Sequence, residues 1–220
     1  MAAEVLGARW TFLILRELLS GSARYSDIKR GVPRISPTLL SKRLKELEAA
    51  GILTARRGGP GGNAEYRLTA SGEELRPIVM QLGAWGQRWI DSSLSLKNLD
   101  PSLLMWDMRR NINVASLPHA PCIIQFEYPE LKNGRHWWLV ADDRNVDLCS
   151  IDPGHEVDLF VTGSLRSMTA VWMGAATIKA EVEAGRIMLD GDRALAGAIH
   201  KWLGLSPFAK DIPNRRVNRA

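Results

Sequence analysis

The run Ile35-Ser36-Pro37 constrains this chain more than any other feature. A serine hydroxyl can accept from the free N–H groups of a first helical turn. Proline suits the first helical position because it has no N–H to leave unpaired. The spacing predicts a helix opening at Pro37, stapled by Ile35 onto Leu40 and closed by Gly51 after Ala50. At about 100° per residue, Leu40, Leu44 and Leu47 share one side of that helix. Thr38, Lys42, Lys45 and Ala49 cluster opposite, with Ser41 at their margin. The outward face is small or basic and carries no carboxylate. Such a face can enter a major groove, although taken alone it also fits an ordinary solvated surface.

The neighbouring segments narrow the choice. Leu6 to Leu19 carries Trp10, Leu13, Ile14 and Leu18 at helical spacing, and Gly21 stops it. A short helix is expected from Tyr25-Ser26-Asp27, capped by Ser26 and ending by Gly31-Val32-Pro33. Three short helices leave room for little but a small trihelical core. Strand-like runs follow at Ile52–Arg57 and Ala64–Thr69, joined by Gly58-Gly59-Pro60-Gly61-Gly62-Asn63, which permits a hairpin tip and nothing regular. A longer helix is expected from Ser71 to Asp91, with Ser71 and Glu74 at capping-box spacing. This order of elements is that of a winged helix-turn-helix.

Charge separates the two halves. Residues 1–92 hold 14 Lys and Arg against 9 Asp and Glu, whereas the remainder holds 15 of each. Four of those later basic residues, against one acid, lie in the tail from Lys210. A basic module joined to a mildly acidic one is what a nucleic-acid-binding domain fused to a different domain looks like.

The first half resembles the HxlR family of winged helix-turn-helix transcription regulators. The resemblance runs through Arg9-Trp10, Leu15-Arg16-Glu17-Leu18, Tyr25-Ser26-Asp27-Ile28 and Ile35 to Leu44. It continues through Glu48-Ala49-Ala50-Gly51, Tyr66-Arg67-Leu68-Thr69 with Gly72, and Trp85-Gly86-Gln87-Arg88-Trp89. It implies a homodimer on double-stranded operator DNA, with the helix after Ser36 as recognition helix. The candidate DNA-binding residues are Ser36, Pro37, Thr38, Ser41, Lys42, Arg43 and Lys45 on that helix, and Arg56, Arg57 and Arg67 on the hairpin. Leu75, Val79, Leu82, Trp85 and Trp89 form a candidate dimer interface, with Gly83 and Gly86 allowing close approach. Packing onto the trihelical core is the competing reading of the same residues. Many members of the family carry a sensing cysteine just before the first helix, and the residues ahead of Trp10 hold none.

The second half opens on Asp100-Pro101, an N-cap and first-turn proline. Strands are expected at Cys122–Tyr128, His136–Ala141, Val146–Ile151, Val157–Thr162 and Arg186–Leu189, and helices at about 164–173, 175–183 and 192–203. The fold class is α+β. Val161-Thr162-Gly163-Ser164-Leu165, Trp172-Met173-Gly174, Ala184-Gly185-Arg186 and Leu189-Asp190-Gly191-Asp192 resemble the sterol-carrier-protein-like fold. That resemblance implies a curved, mostly antiparallel sheet and helices around an apolar tunnel. Trp106, Trp137, Trp138, Phe160, Trp172 and Trp202 are the candidate pocket for a hydrophobic small molecule, with simple core filling as the alternative. The expected organisation is a DNA-binding domain at 1–92, a linker at 93–99, a sterol-carrier-like domain at 100–209 and a basic tail at 210–220.

Other functions find no support. No Gly-x-Ser-x-Gly elbow or phosphate-binding Gly-x-x-x-x-Gly-Lys loop occurs, and His119, His136, His155 and His200 stand apart from any zinc-ligand spacing. The chain is expected to be no enzyme and to need no metal or cofactor. No apolar run is long enough to span a bilayer, and the start shows no basic region leading into an apolar one, so a cytoplasmic protein is expected. Cys122 and Cys149 sit in apolar strand contexts that suit buried, inert thiols. The expected function is a dimeric transcription regulator modulated by an apolar ligand. A C-terminal domain acting only as a scaffold, or a lipid carrier with a vestigial DNA-binding module, are the alternatives.

Overall fold

Ile14, Leu15, Ile28, Leu40 and Leu44 are almost wholly shielded from solvent and form the centre of the first of two units. The computed structural model describes residues 1–57, 64–90 and 99–211, which divide into units Met1–Ala84 and Trp85–Ala220. The hairpin tip at 58–63, residues 93–98 of the expected linker and residues 212–220 of the expected tail lie outside the described residues.

From the start of the chain the elements run α1 (Ala2–Leu6), α2 (Thr11–Leu19), α3 (Tyr25–Gly31), α4 (Pro37–Ala49), β1 (Leu53–Arg57), β2 (Ala64–Leu68), α5 (Ala70–Glu73) and α6 (Arg76–Trp89), the last of which passes from the first unit into the second after Ala84. The sequence suggested one helix from Leu6 to Leu19. The chain instead breaks before α2, where Trp10 takes the left-handed conformation at φ 80°. Two caps also differ from expectation. Arg24, not Ser26, precedes α3, and Thr69 rather than Ser71 opens the next segment by accepting from Gly72 N. At α4 the expectation holds: the Ser36 hydroxyl accepts from Leu39 N at 3.3 Å and Pro37 takes the first position. β1 and β2 pair antiparallel with Leu53 opposite Leu68 and Arg57 opposite Ala64.

After α6 the second unit continues with α7 (Pro101–Arg110), where the Asp100 carboxylate accepts from Ser102 N and Leu103 N. β3 (Cys122–Glu127), β4 (His136–Ala141), β5 (Val146–Cys149) and β6 (Leu159–Gly163) follow. Then come α8 (Leu165–Trp172), α9 (Ile178–Glu183), β7 (Ile187–Gly191), α10 (Arg193–Gly197) and α11 (Ile199–Trp202). The sheet order is β5-β4-β3-β6-β7, with β3 and β6 parallel and the other neighbours antiparallel. The predicted 192–203 helix is split, α10 ending at Gly197 and α11 starting at Ile199.

Period-two alternation assigns the faces of the sheet. Ile124, Phe126, Trp137, Leu139, Leu159, Val161 and Ile187 join one core with Met105, Met108, Met168, Val171, Leu195 and Trp202 from the helices. Gln125, Trp138 and Phe160, which stand opposite one another in register, alternate with those residues and so belong to the other face.

Candidate nucleic-acid interface

Helix α4 is rooted by Leu40, Leu44 and Leu47, all buried, and by polar ties at its flanks. Tyr25, at the start of α3, donates its hydroxyl to the Pro37 carbonyl at 2.9 Å. This fixes the first turn of α4 against the helix before it. Ser36, Pro37, Thr38, Ser41, Lys42 and Lys45 are exposed, so the helix presents small and basic groups outward.

The expectation of an outward face without a carboxylate is corrected at Glu46, whose i,i+4 spacing from Lys42 already marks it. Arg43 departs from its expected place as well. Glu46 stands beside the basic face, its carboxylate 3.9 Å from Lys42 Nζ and hydrogen-bonded to Arg43. Arg43 is drawn inward: its side chain is only 19% exposed, against 67% for Lys42. A polar residue on the flank of a helix leaves no periodic mark that separates an inward from an outward guanidinium.

On the hairpin, Arg56 is exposed opposite Glu65, and Arg67 is exposed with its guanidinium 3.1 Å from Glu65. Arg57 pairs with Ala64 through the backbone. The base of the hairpin is held by Tyr66 N, which donates to the Ala23 carbonyl at 2.7 Å. Arg56 and Arg67 thus stand exposed on the hairpin with one acid, Glu65, between them.

The dimer-interface residues part company along α6. Val79 is buried and Leu75 half-buried against the trihelical core, whereas Leu82, Trp85 and Trp89 are exposed, the tryptophans by 55% and 63%. Leu75 and Val79 therefore pack onto the trihelical core, and the other three stand on the exposed side of the helix.

The HxlR-like helix-turn-helix family matches residues 5–94. The regulator YvaP of Bacillus subtilis strain 168, named as an uncharacterized HTH-type transcriptional regulator, is 42% identical over 94 residues, which is 42% of this chain and 86% of that protein. This chain belongs to the HxlR-like helix-turn-helix family. YkvN of the same organism, likewise named as an HTH-type transcriptional regulator, is 38% identical over 84 residues, covering 38% of this chain and 71% of its own. Among solved structures, the reduced form of the redox regulator HypR aligns with a TM-score of 0.40 at 32% identity, over 43% of this chain and 94% of that one. The HxlR-like part is a helix-turn-helix DNA-binding module of a transcriptional regulator, and its match ends at residue 94.

Beyond the HxlR-like module, the six aromatic residues expected to line a pocket are not gathered around one space. Trp137, Trp172 and Trp202 fill the core, and their neighbours Trp138 and Phe160 belong to the opposite sheet face. Trp106 is buried under the Arg109 guanidinium, 4.3 Å from its ring. The indole N–H of Trp137 donates to Gly134 O and that of Trp202 to Leu195 O, both at 2.8 Å, as expected of satisfied core rings. A cavity of about 460 Å³ lies elsewhere in this unit, between α9, β7, α10 and α11. Ile178, Val182, Leu189, Ala196 and Ile199 line it, with Lys179, Glu183 and His200 at its polar part. None of these is aromatic except the histidine, so a search by aromatic content passes over them.

The cysteines differ in setting. Cys122 is buried, and burial first and Asp158 second push its thiol up to about 11, which keeps it protonated and unreactive at neutral pH. Cys149 is half-buried on β5. The acidic turn at Asp142 is occupied by backbone: its carboxylate accepts from Arg144 N at 2.7 Å and Asn145 N at 2.6 Å, and those bonds hold it below the usual carboxylate range. Among the described residues no helix is long and apolar enough to cross a membrane.

Proposed function

We propose that the protein binds operator DNA as a homodimer and that an apolar small molecule held in the second unit shifts that affinity. The observation that carries the DNA reading is α4 itself, with a leucine stripe underneath and Thr38, Ser41, Lys42 and Lys45 exposed on top. Threonine and serine can reach base edges, and lysine can reach guanine or phosphate. Ser36 at the helix start, and Arg56, Arg57 and Arg67 on the hairpin, are assigned to the phosphate backbone, with Pro37 packing beside Ser36.

One such helix covers too few base pairs to be selective, so two copies related by a two-fold axis are required. The exposed side of α6, with Leu82, Trp85 and Trp89, is the surface assigned to pairing. Half-sites then lie about 34–36 Å apart, or a multiple of that spacing.

The second unit is read as a sterol-carrier-like ligand domain. Its support is a predominantly antiparallel sheet with a helix-covered face and an apolar cavity of ligand size, since pockets for small molecules commonly enclose about 300–1,000 Å³. A cytoplasmic setting suits this role.

The test is footprinting of the purified protein on DNA upstream of its own gene, with sedimentation alongside. Two symmetric protected half-sites and a dimer at micromolar concentration are expected. Equal affinity for all sequences, or a monomer bound to the operator, overturns the corresponding part. Solvent extraction of the purified protein is expected to release an apolar molecule. An empty extract, together with unchanged operator binding on truncation near residue 93, reduces the second unit to a scaffold.

A further inference from the structure

We infer that Arg43 is a positioning residue that sets the rotation of α4, and that it makes no contact with DNA. The inference rests on the proposed role of α4 in reading DNA. Three geometric facts converge. The Arg43 Nε donates to the carbonyl of Arg9 at 3.3 Å, across a sequence separation that brings the middle of α4 to the start of α2. Its Nη1 is hydrogen-bonded to Glu46, which neutralises it within the helix. Its side chain is 19% exposed, so little of it is offered to a phosphate.

The partner carbonyl belongs to an unusual turn. Trp10 follows Arg9 and is left-handed, at φ 80° and ψ −15°, a conformation that bulky L residues rarely adopt. The Arg9 guanidinium lies over the Trp10 ring, 4.6 Å from its centroid. Directly after it, α2 buries Thr11, Ile14, Leu15, Glu17 and Leu18. The turn is thus bound into the core on one side and holds α4 on the other.

A helix seated only by a leucine stripe can roll about its axis, because apolar packing is not directional. Hydrogen bonds are directional and resist that roll. Tyr25 holds the first turn of α4 through Pro37 O, and Arg43 holds its middle through Arg9 O. With both in place, the angular positions of Thr38, Ser41, Lys42 and Lys45 are set. The rotation of the helix decides which of them meets a base edge.

Substitutions at residue 43 separate charge from tethering. Glutamine carries its amide nitrogen as many bonds from the backbone as arginine carries Nε, so Arg43→Gln keeps the donor to Arg9 O and loses the charge. Arg43→Lys keeps the charge, but its nitrogen stands one bond farther out. The experiment titrates the full-length protein with operator and with unrelated DNA over a range of salt. Arg43→Gln is expected to hold operator affinity within about 3-fold of the natural protein, with an unchanged log–log salt slope. Arg43→Lys and Arg43→Ala are expected to lose about 10-fold or more of operator preference with that slope also unchanged. A side chain that neutralises a phosphate, once removed, lowers the slope by about 0.9. A lowered slope in Arg43→Gln with operator affinity retained in Arg43→Lys overturns the inference.

Amide hydrogen exchange without DNA reads the tether directly. Faster exchange over residues 9–13 is expected in Arg43→Ala and not in Arg43→Gln, with the melting transition of each variant establishing that it is folded. Exchange unchanged in Arg43→Ala overturns the tether even if operator binding stands. A natural protein that prefers no DNA sequence removes the DNA reading, and the exchange arm then decides the tether alone.

Discussion

The carboxylate of Glu17 occupies the volume that any side chain at residue 31 would need. A Cβ built on Gly31 would fall inside it. The buried Glu17 accepts from Arg16 Nη2 at 2.9 Å and from the Ser22 hydroxyl at 3.1 Å, and the same Arg16 nitrogen donates to Gly31 O at 3.0 Å. One buried carboxylate therefore joins α2, the turn after it and the end of α3, and it stays buried because charged and polar donors surround it.

Gly31→Ala is expected to destabilise the first unit strongly, because a buried, hydrogen-bonded carboxylate must move. Glu17→Ala makes space but leaves Arg16 and Ser22 without that acceptor. The double substitution should then cost less than the two single costs together, with a coupling of about 0.5–3 kcal/mol. Denaturant titration of all four proteins measures it, and additive costs would show that residue 31 and Glu17 do not compete for space.

Substitutions at the proposed interface should fall into two kinds. Thr38→Ala and Lys42→Ala are expected to weaken operator binding selectively, Lys42 by about 1–3 kcal/mol if it meets a base. Arg56→Ala and Arg67→Ala are expected to weaken all DNA alike and to lower the log–log salt slope by about 0.9 for each phosphate that is no longer neutralised. Anisotropy titrations on operator and scrambled DNA distinguish them. Hairpin variants that change base preference while the α4 variants do not would reverse the assignment.

The sequence made the α4 region readable because local rules and tertiary packing agree there. Ser36, Pro37 and the leucines each favour the same helix in the same register. At Trp10 they disagree, since nothing in an Arg-Trp-Thr run announces a left-handed residue. The break separates α1, which buries no residue, from α2, which buries five, and a helical pattern carries across it unmarked. The caps at Arg24 and Thr69 differ from the expected serines by two residues, the usual slack where several polar residues crowd a helix start. In the second unit, alternation correctly sent Trp137 and Trp138 to opposite faces. It could not foresee the cavity, because empty space among Ile178, Val182 and Leu189 depends on how separate elements meet.

Two tryptophans of the second unit should respond oppositely to loss of their indole nitrogen. Trp138 Nε1 is buried without a hydrogen-bond partner among the described residues, whereas Trp202 Nε1 donates to Leu195 O. Removing an unsatisfied N–H recovers about 1–3 kcal/mol, which offsets the packing that goes with the larger ring. Trp138→Phe is expected to change stability by less than about 1 kcal/mol, and Trp202→Phe to cost about 2–4 kcal/mol. Urea midpoints with unchanged slopes provide the comparison. Equal losses at both sites would mean that ring volume alone governs.

Glu181 supplies a pH-dependent part of the stability of this unit. Its carboxylate accepts from Arg186 Nε at 2.8 Å and Nη2 at 2.7 Å. Those bonds hold its pKa below the ordinary 4.5, against the opposing effect of burial, with Ser167 adding a smaller contribution in the same direction. The folded value is the lower one, so the stabilisation is complete above the unfolded value and is lost as pH falls through the folded one. Glu181→Gln should therefore be less stable than the natural protein at pH ~7, with the gap closing as the medium is acidified below the ordinary carboxylate range. A gap of constant size down to acid unfolding would assign the cost to packing.

The cavity between α9, β7 and α11 gives the ligand proposal its most direct test. Ala196 lines it from α10, so Ala196→Phe places a ring in the space without removing any hydrogen bond. The variant is expected to fold, to take up less of an apolar fluorescent probe such as phenylnaphthylamine, and to release less apolar material on extraction. A ligand can move DNA affinity only through unequal affinity for two arrangements of the regulator. Coupling of ordinary size is about 1–3 kcal/mol, or roughly 5- to 150-fold in operator affinity. Operator titrations of the natural protein with extracted ligand should show a shift of that order, and Ala196→Phe should show none. If the variant keeps both probe uptake and the shift, the ligand sits elsewhere. If the natural protein binds ligand tightly and its operator affinity does not move, the second unit stores or carries the molecule without signalling to α4.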